Sequence, residues 1–262
     1  MTQDEMLREM GLGPVWKLRA TAAAIPAAES AAESVTESVT ESVTEPVTEP
    51  VTPAAPEPQL EPQLEPAPTV AAAQTGLSWE ELATTVAACG QCRLCEARKQ
   101  AVLGVGDRHA DWLFVGEGPG AEEDQRGEPF VGQAGKLLDN MLAAIGLKRG
   151  ADVYIANAVK CRPPENRTPT PEETATCRPY LERQIELIQP KLIVALGRPA
   201  AQTLLQSEVK IAAARGKLHD YRGIPLIVTY HPAYLLRTLQ DKARAWEDLC
   251  FMRRTMKTLK GN

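Results

Sequence analysis

Two pairs of cysteines constrain how this chain can fold. Cys89 and Cys92 form a C-x2-C motif, and Cys161 and Cys177 lie far downstream with 15 residues between them. Four thiolates from two separate stretches can enclose zinc or an iron–sulfur cluster. Such a site would connect the start of the folded part to its middle. Buried cysteines without a metal are the alternative, because thiols also pack as small hydrophobic groups.

The first 76 of the 262 residues have a composition unlike that of a protein core. No Lys or Arg occurs between Arg19 and Arg93, and short repeats of Glu-Ser-Val-Thr, Glu-Pro-Val-Thr and Glu-Pro-Gln-Leu follow one another. Glutamates spaced four residues apart repel each other on a helix, and the prolines further on interrupt it. We therefore predict a disordered, acidic Pro/Ala/Glu-rich linker over 20–76, followed by a folded catalytic domain over 77–262.

Charge is distributed unevenly between these two parts. Residues 1–76 hold 3 basic and 12 acidic residues, so the net charge of −5 for the whole chain leaves +4 on residues 77–262. A mildly basic body suits a nucleic-acid ligand. No secretory signal and no run of transmembrane length is visible, so we expect a cytoplasmic protein without membrane contact. In a reducing compartment, six cysteines favour a metal site over disulfides.

The segment 1–19 has the pattern of a short amphipathic helix. Thr2 and Glu5 form a capping-box pattern, and Met6, Leu7 and Met10 lie on one face. An amphipathic peptide on a long acidic linker predicts docking to a protein partner. The alternative is that the helix packs on its own domain.

Short apolar runs alternate with helical patterns in the body of the chain. The runs cover Trp112–Gly116, 153–159, Leu192–Leu196 and 225–230. Helical patterns over 133–145, 171–188 and 199–205 lie between them, and a last one covers 240–259. Near-continuous apolar strands alternating with helices predict a parallel sheet covered on both faces. We expect an α/β fold of three layers, α/β/α, with a central, mainly parallel sheet of about four strands.

Glycine, proline or polar residues follow each predicted strand. They are the glycine-rich loop 116–120 and the stretches 157–161, 197–199 and 230–237. Ligands of such sheets bind beyond the carboxyl ends of the strands, so we expect one composite site. The glycine-rich loop lacks the lysine and hydroxyl of a phosphate-binding loop.

Four motifs in their order along the chain resemble the family 4 uracil-DNA glycosylases, the type that carries a 4Fe–4S cluster. They are GEGPG at 116–120, EPFVG at 128–132, NAVKCRPP at 157–164 and HPAYLLR at 231–237. The resemblance covers about 77–262. It implies a uracil-DNA glycosylase-like fold and a monomeric DNA-repair enzyme. Such an enzyme flips uracil out of single- or double-stranded DNA and hydrolyses its glycosidic bond, leaving an abasic site.

The resemblance also selects the cysteine ligands. In the family about two dozen residues separate the second cysteine from the glycine-rich motif, and Cys92 satisfies this spacing. The implied ligands are therefore Cys89, Cys92, Cys161 and Cys177, with Cys95 as the second choice. The ligand spacing itself does not separate iron–sulfur from zinc; the resemblance favours the 4Fe–4S cluster.

A pocket for a flipped uracil needs an aromatic face, a group that recognises the base edge, and a donor for the departing anion. Phe130 supplies the face. The Asn157 amide can accept from uracil N3–H and donate to O4, whereas cytosine presents the opposite pattern. A neutral His231 can donate to uracil O2 and stabilise the leaving base. Gly116 and Gly118 let the backbone approach a planar ligand closely.

Further roles follow from the same resemblance. Glu117, Asn157 or backbone groups are candidates for holding the water, and Glu123 is expected to exclude thymine by crowding the C5 position. Leu235 or Leu236 could wedge into the space left by the flipped base. The expected phosphate contacts are Lys160, Arg162, Asn166, Arg167 and Arg237.

A different class of protein remains as the alternative. A zinc- or cluster-containing protein that binds DNA or a partner on the same fold, without catalysis, would also suit the cysteines and the N-terminal segment. Asn157 and His231 together favour the enzyme.

Overall fold

The computed structural model describes residues 76–261. The segment predicted over 1–19 and the linker predicted over 20–76 lie outside the described residues, apart from Gly76. The described residues form an α/β domain around one mixed sheet of six strands. No helix among residues 76–261 is both long and apolar enough to cross a membrane.

The sheet has a parallel centre and antiparallel edges. The strands are β1 (Val105–Gly106), β2 (Trp112–Gly116), β3 (Val153–Asn157), β4 (Leu192–Leu196), β5 (Leu218–Tyr221) and β6 (Ile224–Thr229). Their spatial order is β1-β3-β2-β4-β6-β5, and the pairs between β3, β2, β4 and β6 are parallel. β1 and β5 pair antiparallel with β3 and β6. The predicted parallel sheet of about four strands is confirmed, and the two edge strands are additional.

Helices lie before, between and after the strands along the chain. Their bounds are α1 (Trp79–Ala88), α2 (Leu94–Ala97), α3 (Ala121–Arg126), α4 (Gln133–Ala144), α5 (Pro171–Ile188), α6 (Arg198–Leu205), α7 (Ile211–Ala214), α8 (Pro232–Arg237) and α9 (Lys242–Lys260). The four central strands are buried along nearly their whole length. This explains why they have continuous apolar sequences rather than alternating ones.

Helices cover both faces of the sheet, as the three-layer prediction requires. On one face α4 and α9 pack on side chains such as Phe114 and Val194. On the other face α5 and α6 pack on Leu113 and Ile193. Successive residues of a strand point to opposite faces, which is why neighbours in the sequence belong to different layers.

A third cluster connects the first helix to the cysteine region. Ser78 and Glu81 form the capping box of α1, with both reciprocal hydrogen bonds present. The buried Leu82 and Val86 of α1 pack with Cys161 and Cys177. The start of the domain and its middle are therefore in contact, as the two cysteine pairs predicted.

Candidate active site

A cleft of about 790 Å³ opens beyond the carboxyl ends of the four parallel strands. The loop after β2 and the last residue of β3 form one wall, and residues following β4 and β6 form the other. The chain leaves β2 toward β3 on one side and reaches β4 on the other, so the cleft lies where the strand order reverses. Ligands of open α/β sheets bind at such a point.

Asn157 is the last residue of β3 and lies at the buried end of the cleft. Its side chain is 2% exposed, and its Oδ1 has no hydrogen-bond partner within the described part of the chain. A buried polar atom without a partner is unfavourable in the free protein and indicates a ligand-binding group. Gly116 is its register partner on β2, and a Cβ there would lie 2.5 Å from Asn157 Oδ1 and from Phe130 Cζ. Gly116 therefore leaves room for the amide and the ring to lie close together.

Gly118 also borders the cleft, on the loop that follows β2. A Cβ at this position would lie 2.8 Å from Val159 Cγ2. Glycine is therefore needed here because the loop packs closely on the segment after β3.

Phe130 faces the same cleft on a loop held in an unusual conformation. Its backbone has φ of 55°, a left-handed value that is rare for a bulky residue. The Arg149 guanidinium holds this loop, donating to the carbonyls of Pro129 at 2.8 Å and of Phe130 at 2.7 Å. A Cβ at Gly135 would lie 1.7 Å from the Phe130 carbonyl oxygen, so helix α4 approaches the loop only because that residue is glycine.

Glu123 borders the cleft, but its carboxylate binds backbone. One oxygen accepts from Gly120 N–H at 3.0 Å, and the other accepts from Val131 at 2.9 Å and Gly132 at 3.1 Å. The carboxylate thus fixes the glycine-rich loop relative to the loop of Phe130. Its predicted contact with the C5 position of the base stays a prediction.

His231 follows β6 and lies beside Phe130, with 5.5 Å between the ring centroids. Its Nδ1 accepts from the backbone N–H of Ala233 at 3.1 Å, so the proton of a neutral ring belongs on Nε2. Burial lowers the pKa of His231 to about 4; the charge of Arg237 also lowers it and that of Glu123 opposes the shift. At neutral pH the ring is uncharged and has one N–H to donate.

Glu117 lies in the glycine-rich loop and is half-buried in the cleft wall. Burial raises its pKa, and the Thr168 hydroxyl and the Arg198 charge oppose that shift. A carboxylate whose pKa moves toward neutrality accepts a proton more readily than an ordinary one.

Two of the predicted DNA contacts are wrong. Lys160 is 1% exposed, because its Nζ points inward and donates to Asn157 O at 2.7 Å and Gln184 Oε1 at 2.5 Å. Burial lowers the pKa of Lys160 to about 8, although the charges of Cys177 and Cys161 oppose this. Leu235 is 0% exposed and belongs to the hydrophobic core, whereas Leu236 is 41% exposed. A buried lysine cannot reach a phosphate, and a core leucine cannot enter a base stack.

The other predicted phosphate contacts lie around the cleft. Arg162 donates to Asn166 Oδ1 at 2.8 Å. Arg167 binds both carboxylate oxygens of Glu173, at 2.7 and 2.8 Å, so much of its donor capacity is taken up. Arg237 is exposed at the mouth of the cleft and has no hydrogen bond or ion pair to the described residues.

Sequence reasoning assigned no role to Arg198 and Arg149. Arg198 lines the cleft and is exposed. Its position directly after Gly197 at the end of β4 is a signal that could have identified it. Arg149 acts on a loop about 20 residues earlier. No local pattern marks that contact, because it depends on how α4 turns back toward the sheet.

A second, small cavity lies beside the first. Five cysteines line it together with Arg98, Lys160 and Tyr180; they are Cys89, Cys92, Cys95, Cys161 and Cys177. The Arg98 Nη1 donates to Cys161 Sγ at 2.8 Å, and the Lys160 backbone N–H donates to Cys177 Sγ at 3.2 Å. Within 76–261 no group of three or more His, Cys, Asp or Glu side chains is arranged to hold a single metal ion.

Two of these thiols, those of Cys161 and Cys177, are buried, and burial changes their acidity. Burial raises the pKa of Cys161, with Cys92 and Cys89 adding to the shift and Arg98 opposing it. Burial raises the pKa of Cys177 to about 12, with Cys161 and Cys92 adding to the shift and Lys160 opposing it.

Comparison with known proteins identifies relatives across the described domain. The family model of the uracil DNA glycosylase superfamily matches residues 103–250. A Type-4 uracil-DNA glycosylase of Archaeoglobus fulgidus is 46% identical over 61% of this chain and 83% of the relative. The Type-4 uracil-DNA glycosylase of Thermotoga maritima is 47% identical over 63% of this chain and 86% of the relative. A Type-5 uracil-DNA glycosylase of Thermus thermophilus is 35% identical over 50% of this chain and 68% of the relative.

Proposed function

This chain belongs to the type-4 enzymes of the uracil-DNA glycosylase superfamily, and we propose that its cleft hydrolyses the N-glycosidic bond of uracil in DNA. The products are free uracil and an abasic site. One observation carries the proposal. A buried amide oxygen without a hydrogen-bond partner among residues 76–261, an aromatic ring and a neutral imidazole all border the same cleft.

Asn157 recognises the base. When Oδ1 accepts from uracil N3–H and Nδ2 donates to O4, the amide oxygen gains the hydrogen bond that it lacks within the described part of the chain. Cytosine has an acceptor at N3 and a donor at N4, so it would leave both groups unpaired. Phe130 stacks on the flipped base beside this amide.

His231 stabilises the leaving group. As the glycosidic bond breaks, negative charge develops on the uracil O2, and a preorganised neutral donor there contributes about 3 kcal/mol to lowering the barrier. The Ala233 N–H holds Nδ1 as an acceptor, which leaves Nε2–H free to donate. Burial keeps the ring neutral in the free enzyme.

Glu117 is our candidate for orienting the attacking water. It borders the cleft, and its pKa is raised by burial, which suits a weak general base. The sugar at the reaction centre becomes an oxocarbenium-like cation, so a nearby carboxylate also stabilises it electrostatically.

Single- or double-stranded DNA crosses the mouth of the cleft. Leu236, exposed there, takes the wedge role in place of Leu235. Arg162, Asn166, Arg167 and Arg237 are the proposed phosphate contacts, and the exposed Arg198 joins them. Phosphate contacts of this kind position the DNA without recognising its sequence.

Cys89, Cys92, Cys161 and Cys177 are proposed to hold a 4Fe–4S cluster. Cysteine thiolates are its usual ligands, and the Type-4 relatives, whose family resemblance implies such a cluster, favour it over zinc. Cys89 is the proposed fourth ligand and Cys95 the second choice; both line the cysteine cavity. The cluster would fix the loop 162–176 beside the cleft, a structural role.

Absorbance of the purified protein separates the two metals, because zinc has no visible absorption and an iron–sulfur cluster does. Cys95→Ser should keep the absorbance and Cys89→Ser should lose it. The opposite result would exchange the two cysteines in the ligand set.

Cleavage of a uracil-containing single-stranded oligonucleotide tests the activity. We expect Asn157→Ala and His231→Ala each to lower the rate by about 100-fold or more. His109→Ala is the matched control, since His109 is exposed and lies outside the cleft. Unchanged rates in both cleft variants would favour the alternative, a cluster-containing DNA-binding or partner-docking protein without catalysis.

The remaining expectations stay part of the proposal. The enzyme acts as a monomer in the cytoplasm, close to the DNA. Residues 1–19 are proposed to dock to a protein partner.

A further inference from the structure

Lys160 is a buried charged side chain that the proposed reaction does not use. It is 1% exposed, and its Nζ has two acceptors, the carbonyl of Asn157 and the side-chain oxygen of Gln184. Lysine is seldom fully buried, because losing its hydration is unfavourable unless hydrogen bonds replace it. Both of its acceptors are themselves buried, and one belongs to the residue that recognises the base.

Gln184 extends this contact into the rest of the domain. Its Oε1 accepts from Lys160, while its Nε2 donates to Leu103 O at 2.9 Å and to Tyr154 OH at 3.3 Å. Tyr154 lies on β3, three residues before Asn157. Gln184 is 0% exposed and lies on α5. The amide therefore joins β3, the segment before β1 and helix α5 around one lysine.

The backbone of Lys160 faces the cysteine cavity. Its N–H donates to Cys177 Sγ at 3.2 Å, and its carbonyl accepts from Val102 N–H at 2.7 Å. Cys177 and Gln184 are seven residues apart on α5, so they lie on the same face of that helix. Lys160 thus contacts α5 twice, by its backbone at the cysteine and by its side chain at the glutamine.

We propose that Lys160 and Gln184 form a buried link that positions Asn157 for uracil recognition and connects it to the cysteine-bearing helix α5. The inference rests on the proposed function of Asn157. The Asn157 Oδ1 has no protein partner among the described residues, so a side-chain hydrogen bond through that atom does not set its direction. Its backbone, held by Lys160, sets where the amide lies. An amide that moved freely would accept cytosine as well as uracil.

Lys160→Met and Gln184→Leu test the link, because each keeps most of the buried volume. Lys160→Met removes both hydrogen bonds of the ammonium, and Gln184→Leu removes the one from Lys160 together with those to Leu103 and Tyr154. We expect each to lower the single-turnover rate of uracil release on the order of 10-fold, the factor that corresponds to a hydrogen bond of a charged group. The affinity for DNA without uracil should not change. Lys136→Met, an exposed lysine on α4, is the matched control.

The same substitutions in an Asn157→Ala background separate this role from a general structural one. If Lys160 acts through Asn157, Lys160→Met should change the rate of that variant by less than about twofold. An equal fall in both backgrounds would overturn the link while leaving the proposed function intact. Visible absorbance of each variant reports on the cysteine cavity independently, and we expect it to be retained.

A crystal structure of Lys160→Met provides a readout that does not depend on activity. We expect the Asn157 amide to leave its position between Gly116 and Phe130. An unmoved amide would overturn the link whether or not the enzyme acts on uracil. Should Lys160→Met fail to fold, Gln184→Leu offers the same comparison with the lysine retained.

Discussion

The cleft and the cysteine cavity lie on either side of the chain segment 157–161, and they satisfy their polar groups in opposite ways. In the cleft, Asn157 Oδ1 has no partner among residues 76–261, and Arg237 has none either. Around the cysteines, donors are already in place, from Arg98 to Cys161 and from the Lys160 backbone to Cys177. A cleft with unpaired groups suits a ligand that comes and goes, whereas a cavity with preset donors suits a permanent one.

Segment 157–161 contributes residues to both regions. Asn157 borders the cleft, and Cys161 lines the cysteine cavity. Lys160 lines the cysteine cavity and donates to the backbone carbonyl of Asn157. The proposed base site and the proposed cluster site therefore differ in chemistry but are supported by the same segment.

The largest difference in absorbance, stability and activity is expected between a variant of the cysteine cavity and a variant of the cleft. Cys177→Ser removes a buried thiol that we propose as a cluster ligand, so we expect loss of visible absorbance and a marked fall in the melting temperature, because a cluster that binds only the folded state would stabilise it. Asn157→Ala should lower uracil release by about 100-fold and leave the absorbance intact. Spectra, thermal unfolding and cleavage assays on both variants check this. Loss of absorbance in Asn157→Ala would show that the regions are not separable.

Acid should reveal the buried imidazole of the cleft. Between the ordinary histidine pKa of 6.5 and about 4, unfolded His231 is protonated while the folded residue stays neutral. The unfolded state then binds more protons, so the free energy of unfolding falls as the pH is lowered through this range. Between about pH 7 and about pH 4.5, the free energy of unfolding should fall by on the order of 2 kcal/mol less in His231→Gln than in the parent protein. Urea unfolding at both pH values measures it, and parallel losses would contradict the assignment.

The two adjacent leucines of helix α8 should respond differently to truncation. Leu236→Ala should reduce uracil release from duplex DNA by about 10-fold and much less from single strands, which have no base stack to refill. Leu235→Ala removes a core side chain and should lower stability by about 2–5 kcal/mol. Cleavage assays on both substrates, with urea unfolding, distinguish them. Equal losses on the two substrates would exclude the wedge role of Leu236.

The smallest effect on DNA binding is expected from a substitution at the mouth of the cleft. Arg237→Gln should weaken DNA binding a few-fold and reduce the slope of log K against log salt by about 1. Lys160→Met should leave that slope unchanged, because its ammonium is buried away from the DNA. Binding titrations at several salt concentrations test the pair. A reduced slope in Lys160→Met would restore the phosphate role that the structure argues against.

Much of the architecture was predictable from local sequence. The bounds of β2, β4 and α5 agree with the prediction, because apolar runs and capping residues mark them directly. β3 ends at Asn157, two residues before the predicted end, since the chain turns there to bring Lys160 against Cys177. The edge strands β1 and β5 were missed because they are short and only partly buried. Their sequences therefore lack a strong apolar pattern.

The sequence by itself determined the order of the central strands and main helices along the chain, the four motifs and the set of cysteines, because periodicity and spacing are properties of neighbouring residues. Only the tertiary structure decided where charged and apolar side chains point. It buries Lys160 and Leu235, leaves Leu236 exposed, and places Arg149 on the Phe130 loop. Such directions depend on elements far apart in the chain that pack together, and no local pattern records that packing.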